Sequence, residues 1–97
     1  MSKYNYFSRI VVDTLDFGDG YGWDFNSAGI MLLNESSDST DIVEYSFNGT
    51  DLHGDLVPNT TTAGLTFDNR TENRVWFRRT IAGGGGPITI RVETWGI

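Results

Sequence analysis

The chain has 97 residues, thirteen acidic and seven basic side chains, a net charge of −6 and no cysteine. That length holds one domain. The charge argues against gripping nucleic acid or an anionic membrane, and the lack of thiols excludes disulfides and thiolate metal sites. No run of 18 apolar residues is present, and the first residues, MSKYNYFSR, lack the apolar core of a secretory signal, so neither a membrane span nor export is expected. Aliphatic residues are scarce, but six Phe, four Tyr and three Trp supply core volume, since each ring buries roughly 150–250 Å².

Residues 1–8 carry Tyr4, Tyr6 and Phe7, read as the start of a first strand or as an aromatic N-terminal arm that docks on the domain or on a neighbouring subunit. Residues 9–16 (RIVVDTLD) read as a strand rich in β-branched side chains, with apolar residues on both faces. The glycine-rich stretch 17–24 reads as a loop bearing Tyr21 and Trp23. Its Asp16, Asp19 and Asp24 follow DxxDGxGxD, which lacks the spacing and distal Glu of a calcium loop, so no metal site is expected. Ile30 to Leu33 form a short apolar run bounded by Gly29 and Asn34, which suits a buried strand better than a helix.

From Asp41 the chain alternates, with Val43, Tyr45 and Phe47 on one face and Ile42, Glu44 and Ser46 on the other. Asn48-Gly49 follows and predicts a two-residue type I′ hairpin turn, with a return strand from Thr50 to Val57. His53, the single histidine, has neither an activated nucleophile nor an oxyanion hole marked near it, and a local hydrogen bond is its expected role. Leu65–Phe67, Arg74–Thr80 and Ile88–Trp95 read as further strands. The last places Ile88, Ile90 and Val92 on one face and Thr89, Arg91, Glu93 and Trp95 on the other. Trp76 beside Arg78 suits either packing or a ligand platform. The four glycines before Pro87 lack the Lys-Ser/Thr of a phosphate loop. Four Asn-x-Ser/Thr sequons, at Asn34, Asn48, Asn59 and Asn69, read as loop composition.

No helical period occurs. Short strands separated by Gly/Asn/Asp turns predict one all-β domain over residues 1–97, an antiparallel β-sandwich or small jelly-roll-like barrel. No catalytic constellation, cofactor motif or metal set is marked, so an enzyme is not expected.

The segments GIMLLNE (29–35), VEYSFNGTDLHGDLVP (43–58), LTFDNR (65–70), VWFR (75–78) and ITIRVETW (88–95) resemble a family of small virion proteins of tailed bacteriophages. The resemblance covers about two thirds of the chain and excludes residues 1–28. It implies a non-enzymatic structural role on the particle, as a capsid decoration (cement) protein bound to the major capsid protein, or as a tail or neck component. It implies a homo-oligomer, a trimer at a three-fold lattice position being the expected unit. The candidate partner contacts are Tyr4, Tyr6, Phe7, Trp23, Trp76, Arg78 and Trp95. A small carbohydrate-binding host-attachment module, using Trp76 or Trp95 with Arg78 or Arg91, is the competing expectation.

Overall fold

The computed structural model describes residues 5–80 and 86–96, so the candidate contact Tyr4 lies outside the described residues. Eight strands form: β1 (Asn5–Val12), β2 (Tyr21–Gly22), β3 (Gly29–Asn34), β4 (Val43–Ser46), β5 (Gly54–Leu56), β6 (Gly64–Phe67), β7 (Arg74–Arg79) and β8 (Ile88–Trp95). They make two four-stranded antiparallel sheets, ordered β1-β8-β3-β6 and β2-β7-β4-β5. No helix is long and apolar enough to cross a membrane among the described residues.

The order carries more than the fold class. First pairs with last (β1-β8), then β2-β7, β3-β6 and β4-β5, and every step along the chain except β4–β5 changes sheet. A long hairpin wound into two facing sheets has this connectivity, which is that of a jelly roll. The expected all-β sandwich is therefore present, with jelly-roll winding.

Period-2 alternation explains which side of each strand is buried. Ile10 and Val12 of β1, Ile30 and Leu32 of β3, and Ile88, Ile90 and Val92 of β8 face inward from the first sheet. Val43, Tyr45, Leu56, Val75 and Phe77 meet them from the second. Rings add to this layer. Tyr45, Phe47 and Phe67 pack edge to face at centroid distances of 5.6, 6.0 and 5.4 Å, the arrangement that their quadrupoles favour. Burial pushes the Tyr45 phenol above its usual pKa; nearby Asp55 adds to this and Arg70 opposes it.

Of the two readings of residues 1–8, the first strand holds for Asn5–Ser8, because β1 pairs β8 without interruption from Asn5↔Trp95 to Val12↔Ile88. Two local expectations are corrected. The strand read over residues 9–16 ends at Val12. The reversal after β4 is not a two-residue turn, because the ladder resumes only at Tyr45↔Gly54. Gly49 has φ +80°, but Asn48 does not share a positive φ; among the described residues Asn59, at 61°, is the one non-glycine that does. Side chains hold the wider loop instead. Ser46 Oγ accepts from the Asn48 and Gly49 amides, Asn48 Oδ1 accepts from those of Thr50 and Asp51, and His53 Nδ1 accepts from that of Phe47. With its amides satisfied in this way, the loop has no need to close in two residues. His53 thus makes the local bond expected of it.

Two buried hydroxyls, Thr80 Oγ1 and Thr94 Oγ1, lack a hydrogen-bond partner among the described residues. Thr94 sits on the inner face of β8 between Tyr6 and Ile30. A desolvated hydroxyl without a partner costs stability, and valine has nearly the same shape. Thr94→Val is expected to raise the unfolding free energy by about 1 kcal/mol, read from urea midpoints at unchanged slope. A lower midpoint would show that the hydroxyl does have a partner.

Candidate interaction surface

The outward positions of the first sheet come from odd-numbered residues of β1, β8 and β3 by the same alternation. Register aligns them in rows: Asn5, Trp95 and Gly29; Phe7, Glu93 and Met31; Arg9, Arg91 and Leu33. The strands of the second sheet pack against the opposite, inner face. Phe7 is 47% and Val11 58% exposed, whereas Met31, Leu33 and Trp95 are half-buried.

Charge on this face is locally balanced. Arg9 and Arg91 stand directly opposite each other, a like-charge pairing that destabilises a sheet unless it is relieved. Glu35 relieves it at Arg9 (Nε to Oε1, 2.9 Å), and Glu93 at Arg91 (2.7 Å). Both guanidiniums also lie near the Phe7 ring, at 5.3 and 4.6 Å from its centroid. Phe7 is thus held by two cations while much of the residue still meets solvent.

Trp95 reaches this face through a glycine. A Cβ on Gly29 would fall 2.2 Å from the indole Cζ2, so the ring can lie against β3 only because Gly29 has no side chain.

The other sequence candidates are occupied by the chain itself. Tyr6 points inward and stacks at a tilt on Trp23, centroids 5.7 Å apart. Trp23, read as a loop residue and a partner contact, is 8% exposed and donates its Nε1–H to the Glu72 carbonyl. Its indole belongs to the core, which removes it from the partner contacts. Arg78 pairs with Glu44 at 2.7 Å and covers Phe17, 4.2 Å from the ring centroid. Trp76 is enclosed by two glycines, with hypothetical Cβ atoms at Gly20 and Gly49 falling 2.7 and 2.8 Å from its ring. Trp76 and Arg78 are therefore not an open platform, because segment 13–20 and loop 47–53 lie against them. Gly49→Ala combines a positive φ with that contact and is expected to cost about 1–3 kcal/mol, seen as a lower thermal midpoint. An unchanged midpoint would mean that the indole moves aside freely.

Two structural roles escaped sequence reading. Arg79 is the inward residue of β7 after Val75 and Phe77, a position that alternation alone assigns. Its guanidinium is 3.7 Å from both Asp13 and Asp41 and bonds the Gly86 carbonyl. Asn34, read as a loop sequon, is buried at the end of β3. Its Nδ2 donates to the carbonyls of Asp41 and Leu56, and its Oδ1 accepts from the Ser36 amide.

Beyond this face, a polar recess of about 390 Å³ is lined by Gly22, Trp23, Asp24, Asn73 and Arg74. Arg74 there donates to the Asp19 carbonyl at 2.8 Å. Asp16, Asp19 and Asp24 are exposed, and no group of three His, Cys, Asp or Glu suited to a metal occurs among the described residues. The outer face of the first sheet offers rings, paired guanidinium and carboxylate groups, and, at β1, a strand edge that no described strand pairs.

No protein family, curated protein or solved structure matches the chain.

Proposed function

We propose that the chain is a non-enzymatic structural protein of a virion, a capsid decoration protein that binds the outer lattice of major capsid protein in many copies and stabilises the head. One observation carries this reading: a rigid jelly roll leaves the outer face of the β1-β8-β3-β6 sheet uncovered, with Phe7 and Val11 exposed on it. Jelly rolls build viral capsid domains as well as lectins, so winding alone does not choose a function. The resemblance of segments 29–35, 43–58, 65–70, 75–78 and 88–95 to small phage virion proteins favours the capsid. A small domain stabilises a lattice by repetition, because many modest contacts multiply through avidity. A tail or neck component would use the same face.

The second reading is a small carbohydrate-binding host-attachment module. The polar recess favours it, since Asp24, Asn73 and Arg74 offer the donors and acceptors that a sugar needs.

Co-sedimentation with heads assembled without this protein tests the proposal. Saturable binding at a multiple of the lattice positions is the expected result, and it weakens when Phe7 and Val11 are replaced by serine. Binding to tails alone would move the protein to the tail or neck. Binding to neither, with a shift in Trp fluorescence on adding host glycans, would overturn the virion reading in favour of the sugar module.

A further inference from the structure

The four sheet edges differ. β2 has two residues, β5 three and β6 four, and β5 is followed closely by Pro58. β1 has eight, about 27 Å of strand, and no glycine or proline interrupts it. Short strands and prolines blunt an edge against pairing, whereas a long edge presents a row of backbone donors and acceptors ready for another strand. One side of β1 pairs with β8, and no described strand pairs with the other.

We propose that β1 pairs antiparallel with β1 of a second copy of this chain, about a two-fold axis at Ser8, joining two four-stranded sheets into one of eight strands. The register follows from geometry and charge. For the two sheets to run on as one, inward residues must oppose inward residues, so paired residue numbers must sum to an even value. Among even sums, 16 and 18 give the most pairs within residues 5–12. A sum of 18 places Arg9 directly opposite Arg9 of the second copy, a like-charge pair. A sum of 16 places Phe7 opposite the second copy's Arg9, and Arg9 opposite its Phe7. Each ring then gains a third guanidinium, from a directly opposite position, beside the two that already reach it within one chain from along the strand (Arg9) and from a diagonal position (Arg91). Tyr6 meets Ile10 on the inner side, and Ser8 meets Ser8. A two-fold contact of this kind uses one patch twice and closes on itself, giving a dimer.

The inference stands apart from the virion reading, because dimerisation is measured on the purified full-length chain without heads. The chain has no cysteine, so single substitutions report the register. Residues directly opposite in an antiparallel pair have Cα atoms about 4.5–5.5 Å apart, within disulfide range. Ser8→Cys is expected to oxidise to a covalent dimer at least tenfold faster than Val11→Cys, whose two copies would lie roughly 20 Å apart. Random collision gives the opposite order, since Val11 is 58% exposed and Ser8 is half-buried. In sedimentation equilibrium, Phe7→Arg should weaken the dimer at least tenfold by opposing Arg9, while Phe7→Glu should retain it, both variants being checked for an intact melting transition. A wild-type monomer at every accessible concentration, a trimer, equal loss in both Phe7 variants, or faster oxidation of Val11→Cys would each overturn the proposal.

Discussion

Asn34→Ala is expected to lower the unfolding free energy by about 3 kcal/mol, although it deletes only a small polar side chain. Asn34 ends β3, and its side chain joins three parts of one end of the sandwich. Its amide nitrogen holds the Asp41 carbonyl at 2.8 Å, just before β4, and the Leu56 carbonyl at 3.2 Å, at the end of β5. Its oxygen takes the Ser36 amide at 3.0 Å and so starts the turn out of β3. Alanine leaves two carbonyls and one amide without these partners in a poorly hydrated place, and each costs about 1–3 kcal/mol unless water reaches it. Asn34→Asp separates this account from a simple size effect. Aspartate keeps the volume and the acceptor for Ser36 but brings a charged acceptor against two carbonyls, so it should be at least as damaging as alanine at neutral pH. Denaturant curves of the three proteins check the order. An aspartate variant as stable as the native chain would rule out the donor role.

Phe77→Ala should be the most damaging single truncation, at about 3–5 kcal/mol. Phe77 is the largest of the fully buried side chains. It sits on β7, the strand flanked by β2 and β4, directly across from Tyr45 and with the Tyr21 ring 6.1 Å away. A sandwich with so few aliphatic residues cannot refill a cavity of that size, because rings move as rigid plates. For a domain of 60–100 residues, each kcal/mol is worth about 4–8 °C of melting temperature. Loss of more than 10 °C by calorimetry is the expected result, and a loss of under 4 °C would show that the core collapses around the gap.

Much of the fold was legible along the chain. Val43, Tyr45 and Phe47, and Ile88, Ile90 and Val92, face inward as their alternation required, because the direction of a side chain on a strand is a local property of the pleat. The Asn48-Gly49 turn was misread for a physical reason. The same two residues serve a two-residue turn through backbone dihedrals or a wider loop through a side-chain acceptor, and the choice rested on Ser46 and His53 as further acceptors. Asn34 looked like loop composition because a sequon says nothing about burial.

The candidate surface was legible only in part. Trp23, Trp76 and Trp95 all lie in β-type or turn contexts, yet their fates differ. Trp23 is closed over by Glu72 and Tyr6, Trp76 lies between Gly20 and Gly49, and Trp95 lies over Gly29. The residues that cover each ring are 17 to 66 positions away in the chain, so no local pattern could rank the rings by exposure. By itself the sequence determined the strands, their inward faces, the absence of thiol chemistry and the acidic charge, because these depend on residue type and on a two-residue period. Only the tertiary structure decided that first pairs with last, that Trp76 and Arg78 are half-buried while Phe7 and Val11 are exposed, and that β1 is the one long open edge among the described strands. Those outcomes depend on which distant segments meet, and meeting is settled by the packing of two whole sheets.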